Sequence, residues 1–162
     1  DELRDLMIYQ IGALKGFLDA HGLPLNHIKP HGALYGVAAR DELVANAVCD
    51  AAEVFGVPLY GMANTEHERV YRQRGMEFVA ELYADLNYEK DGRLIITREH
   101  EAVTQQAVID RCIKAMEEGV VDTVDNVDIK IDFDVICIHS DTPGAVEAAK
   151  ILMERMSVYM KN

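Results

Sequence analysis

An α/β fold with parallel strand pairing is the architecture this sequence predicts. Short β-branched runs alternate with amphipathic helical segments, Gly and Pro punctuate nearly every junction, and the polar residues with most chemistry fall where strands hand over to helices. The first helix covers about residues 2 to 21, with Leu3, Leu6, Met7, Leu14, Phe17 and Leu18 at helical spacing and His21-Gly22-Leu23-Pro24 ending it. Leu25 to Ile28 is too short for a helix and runs into Pro30, so it reads as a strand with a loop at its end. Asp41 caps a second helix with an inner face of Leu43, Val44, Ala47, Val48, Ala51 and Phe55, closed by Gly56 and Pro58. A strand from Pro58 to Gly61 follows. Thr65-Glu66-His67-Glu68 has the form of a capping box, Gly75 stops the short helix it starts, and a strand occupies about 77 to 83.

Lys90-Asp91-Gly92-Arg93 is a turn signal that predicts a small hairpin between Tyr88 and Leu94-Ile95-Ile96. A long helix is expected over about 103 to 118, ended by Gly119. Strand signals come in succession at Val120 to Val124, Val127 to Asp132 and Asp134 to Ile138. Thr142 as N-cap and Pro143 as first helical residue then open a final helix to about residue 160, where Met153, Met156 and Met160 suit core packing or a subunit contact.

Composition bounds the function. The 162 residues, 49% hydrophobic, suit one globular domain over 1 to 162. A net charge of −12 repels phosphate backbones and anionic membrane surfaces, which argues against nucleic acid and membrane as partners. No apolar run approaches the roughly 20 residues that span a bilayer. Cys49, Cys112 and Cys137 stand singly inside apolar segments, so no disulfide framework or thiolate zinc site is indicated and a cytoplasmic setting is expected. The chain opens at Asp1 without a Met and is expected to be part of something longer.

In open sheets and barrels alike, residues just past a strand's C-terminus face the ligand-binding edge. Two segments stand out by that rule. In Lys29-Pro30-His31-Gly32-Ala33-Leu34-Tyr35, Gly32 allows close backbone approach, and Lys29, His31 and Tyr35 can reach a cleft. In His139-Ser140-Asp141-Thr142-Pro143-Gly144, an imidazole and a carboxylate precede a helix N-terminus. Each residue has an ordinary structural reading: Asp141 or Thr142 as a helix cap, Lys29 as a solvated edge residue, and a strand-end His as a structural hydrogen bonder. The coincidence of both groups at strand-to-helix junctions favours function. Glu81, Asp85 and Asn87 form a weaker third cluster that reads equally well as an acidic solvated loop, and His21, His27, His67 and His100 receive no role. No HxH or HExxH spacing is present, so whether a metal is used is left open and none is assigned.

Three blocks, "HIKPHGALYG", "FVAELYADLNYEKDGRL" and "ICIHSDTPGAVEAAK", with "YQIGAL" before them, resemble the 5-oxoprolinase A-subunit family, also called LamB/YcsF, in order and over essentially the whole chain. The resemblance implies a β/α barrel of the glycoside hydrolase/deacetylase type, of which this chain is the C-terminal two thirds, lacking the first strands. It also implies ATP-dependent opening of 5-oxoproline to glutamate alongside two further subunits. Leu86 stands where the family tends to carry Arg, Asn64-Thr65 where Gly-Ser is expected, and Ser140 in place of Gly. The sequence contains no GxxxxGK[ST] phosphate loop, so ATP is expected to enter through the complex. The roles that follow are Lys29 as the cation for the substrate carboxylate or the lactam oxygen, His31 or His139 for proton transfer, and Asp141 to orient an imidazole. Tyr35, Glu81, Asp85 and Thr142 are the substrate-binding candidates. The alternatives are a metal-dependent hydrolase or deacetylase on a sugar or N-acyl substrate, and a noncatalytic binding subunit; a homo-oligomer is compatible with all three.

Overall fold

The structure, a computed structural model, describes residues 1–95, 104–141 and 143–156, which divide into two compact units, Asp1–Glu81 and Leu82–Asn162. Among the described residues no helix is long and apolar enough to cross a membrane.

In the first unit, helix α1 spans Glu2–Ala20, α2 Gly32–Ala38, α3 Glu42–Ala52 and α4 Glu66–Gln73, with strand β1 at Leu59–Gly61 and most of β2, Phe78–Tyr83. The predicted caps are in place. The Asp41 carboxylate accepts from the Leu43 and Val44 amides, and Thr65 Oγ1 accepts from His67 N–H, each satisfying donors that the first helical turn leaves without partners. Glu68 reaches back to the amide of Asn64 rather than that of Thr65, so the capping box closes one residue early. β1 and β2 pair in parallel, Leu59 opposite Phe78 and Gly61 opposite Ala80. Their core is filled by Val48, Cys49, Ala51, Leu59, Val70, Tyr71, Phe78 and their neighbours.

Two expectations change here. The strand at Leu25 to Ile28 reduces to a single parallel bridge, Ile28 to Leu59, because Pro30 follows at once and the chain turns into α2, a helix the sequence did not suggest. Helix α1 packs on α3 through Leu3, Met7, Ile8 and Ile11, while Leu6, Tyr9, Leu14 and Phe17 are exposed. Two apolar stripes lie on one helix, and the stripe at 3, 7, 8 and 11 is the buried one.

In the second unit, β3 (Asn87–Tyr88) and β4 (Leu94–Ile95) form the expected hairpin, α5 spans Gln105–Glu118, and β5 (Val120–Asp122), β6 (Asp128–Lys130), β7 (Val135–Cys137) and α6 (Ala145–Met156) follow. Gly119 ends α5 with φ 68°, the left-handed cap that only glycine adopts at no cost. β5 and β6 pair antiparallel with each other, as their short connection requires, instead of adding parallel strands. β7 runs beside the last residues of β2, where the Ala84 amide donates to the Cys137 carbonyl at 3.1 Å. Helices α5 and α6 cover this region through Val108, Ile109, Cys112, Ala148 and Leu152. The last helix begins at Ala145, two residues beyond Pro143, because Gly144 takes φ 78° and its carbonyl accepts the first helical bond, from Ala148. Met153 is exposed and Met156 packs against the core; Met160 and His100 lie outside the described residues. The fold is thus mixed α/β with parallel pairing, and closure into a barrel is not seen among the described residues.

Candidate active site

In the first unit the chain leaves Ile28 carrying Lys29 inward. Its ammonium lies 2.5 Å from Glu81 Oε1 on β2, with side-chain exposures of 14% and 2%. This burial decides against the solvated-edge reading of Lys29 and the solvated-loop reading of Glu81. A buried ion pair persists where geometry and further hydrogen bonds offset desolvation, and it is tolerated far better intact than with one partner removed. The Lys29 ammonium also stands 5.9 Å from the centroid of the buried Tyr35 ring on α2. His31 is exposed and forms the N-cap of α2, immediately before Gly32 at φ 56°. The KPHG segment therefore turns its cation inward and its imidazole outward.

Beneath Tyr35 sits His67, fully buried although the sequence assigned it no role. Its Nδ1 accepts from the Met62 amide at 3.2 Å, its ring meets Tyr35 edge-on at 4.5 Å and stacks with Tyr71 at 5.4 Å. Gly61 makes room for it, since a Cβ there would lie 2.7 Å from the Cβ of His67. The Nε2 of His67 and the hydroxyl of Tyr71 have no hydrogen-bond partner among the described residues. Burial pushes the imidazole pKa from 6.5 down to about 4, against a small opposing pull from the Tyr35 backbone, so His67 is neutral at physiological pH.

The sign of the consequence follows directly. Between pH 6.5 and 4 the unfolded chain binds a proton that the folded chain refuses, so this contribution to stability is complete above 6.5 and is lost as pH falls through that window. The loss approaches about 3 kcal/mol by pH 4, at ~1.4 kcal/mol per unit. Denaturant unfolding between pH 4.5 and 7.5 should show His67→Leu with a flatter profile than the wild type; superimposable profiles would contradict the assignment.

In the second unit, the turn after β2 presents Asp85, whose side chain is wholly buried. Its Oδ2 accepts from the backbone amide of His139 at 2.7 Å and its Oδ1 meets His139 Nδ1 at 2.9 Å. The carboxylate thus fixes both the backbone and the ring of a histidine whose side chain is 39% exposed and stacks on Tyr83 at 5.8 Å. A carboxylate on Nδ1 selects the tautomer with its proton there and directs proton exchange to Nε2. Sequence reasoning gave the orienting role to Asp141 and substrate binding to Asp85; the structure sets Asp85 on the imidazole, while Asp141 is exposed in the turn before α6. Thr142 lies outside the described residues. Leu86 is buried beside Asp85.

Among the described residues no group of three or more His, Cys, Asp or Glu is placed to hold a metal ion. Cys49 and Cys112 are buried in the two cores, and burial raises their thiols to about 11 and about 12, which leaves them unreactive.

The chain matches the model of the LamB/YcsF family over residues 1–159. It is 43% identical to a Pseudomonas aeruginosa protein named as a 5-oxoprolinase A-subunit, over 90% of this chain and 59% of that one. It is 42% identical to the lactam utilization protein lamB of Emericella nidulans, over 93% of this chain and 60% of that one. The crystal structure of a lactam utilization protein from Thermus thermophilus superposes with a TM-score of 0.86 at 33% identity, covering 96% of this chain and 65% of the other. The chain therefore spans about three fifths of the length of these curated relatives.

Proposed function

This chain belongs to the LamB/YcsF family, and from that premise we propose that it works within the A-subunit of an ATP-dependent 5-oxoprolinase, opening the lactam of 5-oxoproline to glutamate together with two further subunits. The names of its relatives support a role in lactam hydrolysis. The observation that carries the reading is the Asp85–His139 pair, a half-exposed imidazole held in one tautomer by a buried carboxylate, as a proton-transfer group requires.

5-Oxoproline is a small anion with an amide of low reactivity, and a protein of net charge −12 needs a local cation to hold it. Lys29 supplies that cation. Charge developing on the substrate carboxylate or lactam oxygen is stabilised by an ammonium in a dry setting. Glu81 aims Lys29; Tyr35 walls the cation. His139 moves the proton needed by the leaving lactam nitrogen, with His31 as a second, exposed proton carrier and Thr142 as a substrate contact. ATP activates the amide and enters through the partner subunits. The complete polypeptide is a β/α barrel of the glycoside hydrolase/deacetylase type in a single domain, of which this chain forms a part, and it resides in the cytoplasm.

Glutamate formation by the complete enzyme, with and without ATP and with and without a chelator, tests this reading. We expect turnover that requires ATP. Turnover without ATP that a chelator abolishes would replace it with metal-dependent hydrolysis.

A further inference from the structure

The second unit contains a buried charge that neither the sequence reading nor the proposed reaction uses. Arg111 lies on the inner face of α5 among Val108, Ile109, Cys112 and Ala115, and is 8% exposed. Packing alone would favour an apolar side chain there, since a buried guanidinium costs free energy unless its donors are met. They are met by the turn after β2 and by Asp122 on β5. Nη1 donates to the carbonyl of Ala84 at 3.1 Å and to that of Leu86 at 2.5 Å, the two carbonyls flanking Asp85. From β5, Asp122 grips the same guanidinium in a fork, Oδ1 to Nε at 3.2 Å and Oδ2 to Nη2 at 3.0 Å, and this pairing holds the Asp122 carboxyl below the usual range.

We propose that Arg111 is a positioning residue for His139, acting through the turn that carries Asp85. Two carbonyls bound to one planar cation fix the peptide plane that enters Asp85 and the one that leaves Leu86, and so the turn that directs the Asp85 carboxylate. That carboxylate in turn sets both the ring and the backbone of His139. The Tyr83 amide, bonded to the Tyr88 hydroxyl at 2.8 Å, secures the segment upstream; Arg111 secures the stretch that bears the acid. A ring displaced by a fraction of an ångström loses proton-transfer geometry while the fold survives.

The kinetic half of this inference rests on the 5-oxoprolinase reading, so the experiment pairs it with a readout independent of activity. Imidazole proton and nitrogen NMR of the full chain reports the Asp85-bound Nδ1–H of His139, identified by its loss in His139→Asn. In Arg111→Met, which keeps length but removes every donor, and in Arg111→Lys, which keeps charge but not the fork, this signal should shift or exchange away. In the complete enzyme kcat should fall about tenfold or more with KM within about twofold. If Arg111→Met fails to fold, Arg111→Lys and Asp122→Asn, the latter at a half-exposed residue, should show the same direction of change. A wild-type imidazole signal in any folded Arg111 variant overturns the proposal. Absence of 5-oxoproline turnover in the wild-type complex overturns the function reading instead, and the spectra still decide the role of Arg111.

Discussion

Lys29→Met in the complete enzyme is expected to remove 5-oxoproline turnover and to lower stability as well. The stability loss comes from Glu81, whose carboxylate is 2% exposed and would lose its ammonium partner. Breaking a buried pair on one side costs about 3–5 kcal/mol, whereas neutralising both sides together costs far less. The double variant Lys29→Met/Glu81→Gln should therefore recover most of the melting temperature without recovering activity. That contrast separates the two roles, which the single variant confounds. Wild-type rates from the folded double variant would end the assignment of Lys29 to the substrate.

His139→Asn carries the second large effect. A proton-transfer group contributes about 100-fold or more in the transition state, so kcat should fall by at least that factor while KM changes little. The asparagine amide can donate to the buried Asp85 in place of Nδ1–H, and the backbone amide at 139 still does, so the melting temperature should fall less than in Lys29→Met. Asp85→Asn should cost nearly as much in rate, by releasing the tautomer, and more in stability, because a buried amide must then face both the amide and the ring of His139. Steady-state kinetics beside thermal melting checks both. A large melting shift in His139→Asn with an unchanged rate would mean that the histidine serves the fold alone.

Local punctuation was legible in the sequence. Asp41, Thr65 and Gly119 each act through neighbours within a few residues, so the helices they bound could be read from spacing. The KPHG and HSDT segments stood out for the same reason, as polar groups where strands end. Partnerships were not legible: Glu81 meets Lys29 across 52 positions and Asp85 meets His139 across 54, separations at which residue type says nothing about contact. His67 carries no functional signal in the sequence because a helix-start imidazole normally faces solvent, and the sign that it does not is the glycine at position 61, which has meaning once the strand and helix are packed. The antiparallel pairing of β5 and β6 was hidden by a run of similar strand signals, although the short stretch 123–127 between them allows no crossover.

The most direct measurement combines 5-oxoproline, ATP and the partner subunits with and without the subunit containing this chain, and follows glutamate and ADP together. The account predicts that glutamate forms when the subunit is present, in step with ADP, and stops when it is omitted. Glutamate formed at the same rate in its absence would contradict the account.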